Sequence, residues 1–349
     1  MFVQIKITNY LIIRSGRIDN KQANFDKPKK VSMIHIAILA VPGCLSSSIE
    51  GIREILTLAN SLLKSPRFSI QVYSVDGKPV QSYTGTMITP DHSLIGTKVE
   101  MIILPPILDR LEKTLGKVEI IDWLITHHAS GGRIATVCAG SFLLAETGLL
   151  NGRAATTHWN LADMFKERYP KVHLHVHRLI VDGGDYICCG GVSAWMDLSL
   201  NLLTRFAGKD ISRQCAKTML MDPHREHQTP YGMGGFRKNH NYKGILKVQQ
   251  LIEAHYTESI LVKQMATVAA LGERTFLRHF RRATGKTPSQ YLQQVRIEAA
   301  QTLLETTDLS VENVADSIGY NDYSAFRKLF KRIMGCTPST YRHRFGMVE

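Results

Sequence analysis

The chain repeats itself near its C-terminus, and the repeat limits the possible folds more than any other feature. Residues 275–291 (TFLRHFRRATGKTPSQY) align with residues 325–341 (AFRKLFKRIMGCTPSTY) at an offset of 50, with eight of the seventeen positions identical. The shared residues are Phe276/Phe326, Phe280/Phe330, Arg282/Arg332, Gly285/Gly335, Thr287/Thr337, Pro288/Pro338, Ser289/Ser339 and Tyr291/Tyr341. Two copies are too few for a solenoid, so they read as a duplicated supersecondary unit. In each copy the phenylalanines stand four apart and share a helix face turned to a core. Cations fill the positions around them: Arg278, Arg281 and Arg282, then Arg327, Lys328, Lys331 and Arg332. Gly285 and Gly335 stop each helix. Thr-Pro then starts the next one, with proline where its missing N–H costs nothing. Short amphipathic stretches, 261–269 and 311–317, precede the copies across tight turns. A short helix, a turn and a cation-rich second helix make a helix-turn-helix. One basic amphipathic helix is usually just a solvated face. Two in register predict a tandem reader of double-stranded DNA.

Helix geometry then sorts the exposed positions. With the phenylalanines inward, Arg274, Leu277 and Arg278 of the first unit face the groove, as do Tyr323, Ser324, Arg327 and Lys328 of the second. Arg282 and Arg332 lie one turn further on, nearer the phosphates. A family resemblance rests on these same residues. The run Ala-Asp-Ser-Ile-Gly-Tyr-Asn-Asp-Tyr-Ser-Ala-Phe at 315–326, Phe330, and Gly-Cys-Thr-Pro-Ser-Thr-Tyr-Arg at 335–342 are specific for it. Residues 244–346 resemble the AraC/XylS-type domain, two helix-turn-helices bridged by a long helix, here at 289–305. The resemblance implies that the second helix of each unit enters the major groove, in two successive grooves on one DNA face. Ala270 and Gly272 stand where the family has a turn glycine and a capping serine, which predicts a less firmly set first turn. Lys328 replaces an arginine and lacks its bidentate fork, which predicts softer base discrimination there.

Charge alone does not single out this domain. The 349 residues carry a formal net charge of +13, split as +5 over 1–32, +4 over 33–243 and +4 over 244–349. Clustering on two helices carries the argument instead. Hydrophobic residues at 44% place the chain among globular proteins of two or three domains. Six cysteines without framework spacing point to a reducing interior. No apolar run approaches the length of a membrane span, so the expected location is the cytoplasm. Residues 1–32 read as an extension, either a loosely held arm or sequence upstream of a native start at Met33.

From Ile34 the pattern changes. Residues 34–41 (IHIAILAV), 99–104 (VEMIIL) and 133–137 (RIATV) are short apolar runs, as in strands buried on both faces of a parallel sheet. Amphipathic helices intervene at 48–64, 118–128, 141–148 and 194–206. The alternation predicts a doubly wound, flavodoxin-like parallel sheet over 33–221, with its ligand site beyond the strands' carboxyl ends. That rule points at Val137-Cys138-Ala139-Gly140. Cys138 would end a strand and begin a helix, as a nucleophile elbow does, and a helix N-terminus is expected to lower its thiol pKa.

The longer run at 137–159 (VCAGSFLLAETGLLNGRAATTHW) resembles the ThiJ/PfpI superfamily, whose fold is like that of class I glutamine amidotransferases. Together with 182–197 (DGGDYICCGGVSAWMD) it looks like the branch fused to AraC-type domains, the GlxA-like regulators. The enzymes of that superfamily place a carboxylate beside the cysteine, a position that falls here on Ser48, which cannot act as acid or base near neutral pH. Ala139 stands where protease-like members have histidine. Pro105-Pro106 replaces a Gly-Gly oxyanion loop and offers no N–H. The reading is therefore a non-enzymatic pocket for a small-molecule effector, formed by Cys138, Ala139, His158, Ile107 and Ser48. Two alternatives stay open: a cysteine-dependent amidase with a fused DNA-binding domain, and a redox sensor working through Cys138, which needs a resolving thiol nearby that the sequence does not assign to Cys188 or Cys44.

Lesser features are read more plainly. His173, His175 and His177 alternate along an expected strand with Leu174 and Val176 opposite, so no metal and no other cofactor is assigned. Cys188 and Cys189 are adjacent and point to opposite faces, and Trp195 is expected in the core. Residues 222–243, rich in Pro, Gly, His and charge, are the expected linker before an all-α DNA-binding domain at 244–349. The expected partners are DNA, a metabolite effector, a second copy of the chain in a homodimer, and RNA polymerase.

Overall fold

The computed structural model describes residues 33–94, 96, 98–223, 225–232, 238 and 240–347. The readings made for residues 1–32 lie outside this range. Seven strands form one sheet: β1 (Ile34–Leu39), β2 (Phe68–Ser74), β3 (His92–Ser93), β4 (Met101–Leu104), β5 (Arg133–Val137), β6 (Ile180–Asp182) and β7 (Tyr186–Cys189). Their spatial order is β6-β7-β5-β4-β1-β2-β3. Every pair is parallel except β6–β7, an antiparallel edge. Apart from exposed His35 and Arg133, the strands β1, β4, β5 and β7 are buried throughout, as helices on both faces require. Those helices include α1 (Ser46–Leu62), α2 (Val118–Ala129), α3 (Gly140–Glu146), α4 (Trp195–Phe206) and α5 (Lys209–Thr218).

From β1 the chain moves outward to β2 and β3, then returns to the other side of β1 as β4. The order therefore reverses between β1 and β4, and the crevice outside their carboxyl ends is where such sheets bind ligands. Cys44 and Ile107 pair there as an isolated bridge, and Leu45 N–H donates to the Pro106 carbonyl at 3.0 Å. Two expectations need correction. The strand expected over His173–His177 is confined to His173–Leu174, although exposure still alternates along it. Trp195 is half-buried rather than core, its indole lying so close to Gly51 that a Cβ there would come within 2.3 Å of the ring.

The C-terminal region is helical: α6 (Lys243–Ala254), α7 (Val262–Val268), α8 (Glu273–Thr284), α9 (Pro288–Thr306), α10 (Val311–Ser317), α11 (Tyr323–Met334) and α12 (Pro338–Phe345). Two separate cores divide it. Phe276, Phe280 and Tyr291 centre the first, with Ile245, Val248 and Ile252 of α6. Phe326, Phe330 and Tyr341 centre the second, with Ile297, Ala300 and Leu304 of α9. Helix α9 thus closes one unit with its first turns and opens the next with its last. Its 19 residues span roughly 28 Å. No helix among the described residues is long and apolar enough to cross a membrane.

Candidate DNA interface and effector site

The two second helices share one local design. Each ends at a glycine in the left-handed region, Gly285 and Gly335, both with φ +75°. Each is followed by a threonine cap whose hydroxyl accepts a backbone N–H, Thr287 from Gln290 and Thr337 from Thr340, at 3.2 Å in both. Proline takes the next position. With the phenylalanines buried, Arg274, Leu277, Arg278 and Arg282 of α8 are all exposed. On α11 Ser324, Arg327, Lys328 and Arg332 are exposed, and Tyr323 is half-buried. Among the described residues, no ion pair engages Arg274, Arg278, Arg281, Arg282, Arg327, Lys328, Lys331 or Arg332. By contrast, Arg153, Arg168 and Arg205 of the α/β region each hold a carboxylate, as does Arg225 just beyond it. Eight unneutralised cations on two parallel-built helix faces are what a polyanion requires.

The effector candidates gather at the carboxyl edge of the sheet. Cys138 follows β5 with φ +54°, a strained conformation for a residue with a Cβ, which puts its side chain at the head of α3. Gly140 allows this close approach, since a Cβ there would lie 2.7 Å from the Leu104 carbonyl oxygen. Cys138 N–H donates to the Cys189 carbonyl at 2.8 Å, and its own carbonyl accepts from Ser141 and Thr157 hydroxyls at 3.0 and 3.1 Å. Cys138 is 2% exposed, and burial pushes its thiol pKa up to about 12. Sequence reasoning expected a helix N-terminus to lower it, but seven residues of helix do not offset the loss of water. Cys44 and Cys188 are likewise pushed up to about 11 by burial. Ser48, Ala139 and Ile107 are also buried. Ser48 spends its hydroxyl on the Leu45 carbonyl at 2.7 Å. Only His158 is half-exposed; burial holds its pKa below the usual value, and Nδ1 accepts from Asn160 N–H at 3.1 Å. Among the described residues, neither Ser48 nor His158 hydrogen-bonds to the thiol. Beyond His158 a cavity of about 520 Å³ is lined by Trp159, Lys166 and His177, and by Lys286 and Glu298 of the helical region.

Comparison with known proteins agrees with both halves. Residues 265–344 match the helix-turn-helix domain, and residues 49–205 match the DJ-1/PfpI family. The HTH-type transcriptional regulator GlxA of Rhizobium meliloti is 30% identical over 217 residues, which is 62% of this chain and 67% of that protein. The chain belongs to the GlxA-like regulators. The HTH-type transcriptional regulator CdhR of Pseudomonas aeruginosa is 26% identical over 313 residues, covering 87% of this chain and 90% of its own length. Drosophila melanogaster DJ-1beta superposes on 55% of this chain and all of its own, with 21% identity and a TM-score of 0.48.

Two features of this GlxA-like chain escaped sequence reasoning. The repeat extends further upstream at a different offset. Gln249 donates to the Tyr291 hydroxyl at 3.0 Å, and that hydroxyl donates to Glu253 at 2.7 Å. Gln301, Tyr341 and Glu305 repeat the arrangement. The glutamines and glutamates are 52 apart while the tyrosines are 50 apart, because the intervening loop and turn differ in length. A gapped self-comparison would have found them. The second feature is Arg296 on α9. Its guanidinium donates to the carbonyls of Tyr256 (2.6 Å) and Glu258 (3.0 Å) in the first unit and Gly319 (2.9 Å) in the second. With α9 itself, that side chain ties the two units to each other.

Proposed function

We propose that this chain is a cytoplasmic, sequence-specific transcriptional regulator in which α8 and α11 read successive major-groove segments. A small-molecule effector bound at the switch-point crevice controls that reading. The domains are 33–221 for the sensor, 222–243 for the linker and 244–349 for DNA binding. The observation that carries the reading is the pair of matched helix faces whose cations form no ion pair among the described residues. Arg274, Leu277, Arg278, Tyr323, Ser324, Arg327 and Lys328 meet base edges, and Arg282 and Arg332 meet phosphates. The effector sits over His158 with Cys138, Ala139, Ile107 and Ser48 behind it. The protein works as a homodimer that contacts RNA polymerase.

The pocket binds without chemistry. A thiol buried and held protonated is a poor nucleophile, Ser48 supplies no charge, and Pro105-Pro106 supplies no oxyanion donor. The same buried thiols argue against a redox sensor at Cys138. The test uses the full chain: a thermal-shift screen of small metabolites, followed by turnover assays on amides, esters and glycated amines. A stabilising metabolite without turnover is expected, and Cys138→Ser should weaken that shift while leaving DNA binding intact. Turnover that disappears in Cys138→Ser would overturn the non-enzymatic reading.

A further inference from the structure

Gln228 is 2% exposed although it lies in a stretch rich in proline, histidine and glycine. Its side-chain amide donates to the carbonyls of Thr157 (2.7 Å) and Val176 (2.6 Å), and its oxygen accepts the Trp159 N–H at 3.1 Å. The fit is tight, since a Cβ on Gly190 would come within 2.3 Å of this amide. The backbone around it adds a strand-like edge: Leu179 N–H donates to the Glu226 carbonyl at 3.0 Å and Gln228 N–H to the His177 carbonyl at 3.2 Å. Three residues earlier, Arg225 holds the buried carboxylate of Asp197 in the first turn of α4. The other side of the same segment faces the second helix-turn-helix. His227 lies against Gly335, the stop of α11, where a Cβ would come within 2.9 Å of the ring. Tyr231 meets Phe345 of α12 edge-on, with ring centroids 5.4 Å apart.

We propose that residues 225–231 are a strap that carries the state of the His158–Trp159 turn to the second helix-turn-helix, with Gln228 as its positioning residue. Thr157 accepts from Gln228 through its carbonyl and donates to the Cys138 carbonyl through its hydroxyl, so the strand-end elbow stands two hydrogen bonds from the strap. A buried amide with both donors and its acceptor engaged has one acceptable pose. A movement of the His158–Trp159 turn therefore either takes Gln228 with it or leaves polar groups buried and unpaired. Rigid coupling of this kind needs no change within the recognition helix itself, only in how firmly its C-terminal stop is held. The inference rests on the effector reading above, which places the ligand over His158.

Hydrogen exchange read by mass spectrometry on the full chain tests it. Gln228→Ala should raise exchange at least tenfold both around Trp159 and Asn160 and across residues 335–344, while β1 and β4 stay unchanged. Its affinity for a two-element operator selected from random duplexes should fall at least fivefold, with binding to the first element alone unaltered. Tyr231→Ala, on the exposed side of the strap, should free residues 335–344 and leave Trp159 protected. It supplies the readout if Gln228→Ala does not fold. Exchange in Gln228→Ala that rises only within the α/β region would overturn the proposal and make Gln228 a local brace. So would unaltered exchange across 335–344 in Tyr231→Ala. Failure of the effector reading shows separately, as a wild-type melting temperature that no metabolite in the screen moves.

Discussion

The two helix-turn-helices have the same core and different turns. In the second, Gly319 takes the left-handed position at φ +83°, and Asp322 caps α11 by accepting N–H groups of Ser324 and Ala325 at 2.8 and 3.1 Å. In the first, Ala270 is forced to φ +55° and Gly272 begins α8 with no side-chain cap. The first turn is also one residue shorter, so Ala270 matches Gly319 at an offset of 49 while Gly272 matches Asp322 at 50. Duplicated cores make the units alike, and the punctuation makes one stiffer than the other. Local opening follows local stability, so α8 should be the softer reading head although it carries the greater density of arginine.

Several substitutions would break or sharpen that contrast. The largest effect belongs to the residue that joins the units. Arg296→Ala should cost the helical domain about 3 kcal/mol, since a charged donor to three carbonyls is lost. Denaturant unfolding followed by tyrosine fluorescence would report it, and a loss below about 0.5 kcal/mol would mean that Arg296 does not hold the units together. Next come the base contacts. Arg278→Ala should cost ~1–3 kcal/mol at the cognate site and relax preference at one base pair. Lys328→Ala, at the matching position of the second unit, should relax specificity less, because lysine offers no bidentate fork. Arg282→Ala should weaken cognate and random DNA alike and lower the salt dependence by about one ion. Competition gel shifts at two salt concentrations separate these classes.

The turn residues give the smallest changes. Asp322→Ala should destabilise the second unit by about 1 kcal/mol through loss of its cap. Ala270→Gly should stabilise the first by up to about 1 kcal/mol by relieving the left-handed strain. Gly272→Ser should add a few tenths of a kcal/mol. If Ala270→Gly instead destabilises, the stiffness contrast between the units is not set by their turns.

Much of this architecture was legible in the residues themselves. Residues 133–137 and 311–317 form their strand and helix with the bounds that their apolar periodicity predicts. The departures noted at Ala270 and Gly272 correspond to a positive φ and a missing cap. What sequence could not give was environment. The elbow at Cys138 follows from its strand-to-helix position, but its protonation follows from its burial, which the local sequence does not show. Strand β2 is hard to read because Ser69, Gln71 and Ser74 interrupt its apolar residues. Gln228 gave no sign of its burial, since the carbonyls that hold it belong to residues about 50 to 70 positions away. Local pattern fixes elements, and distant partners fix the state of the polar groups between them.

The account stands on both heads reading DNA at once, and a spaced operator tests that directly. Helix α9 and Arg296 join the two units, and the proposed function requires α8 and α11 to enter successive grooves on one face of the duplex. Inserting five base pairs, about half a helical turn, between the two half-elements turns the second groove to the opposite side. Gel-shift titration of the full chain should then show tight binding lost, with residual affinity close to that for a duplex carrying one element. Undiminished affinity for the spaced operator would contradict the account and leave only one of the two helix-turn-helices as a reader.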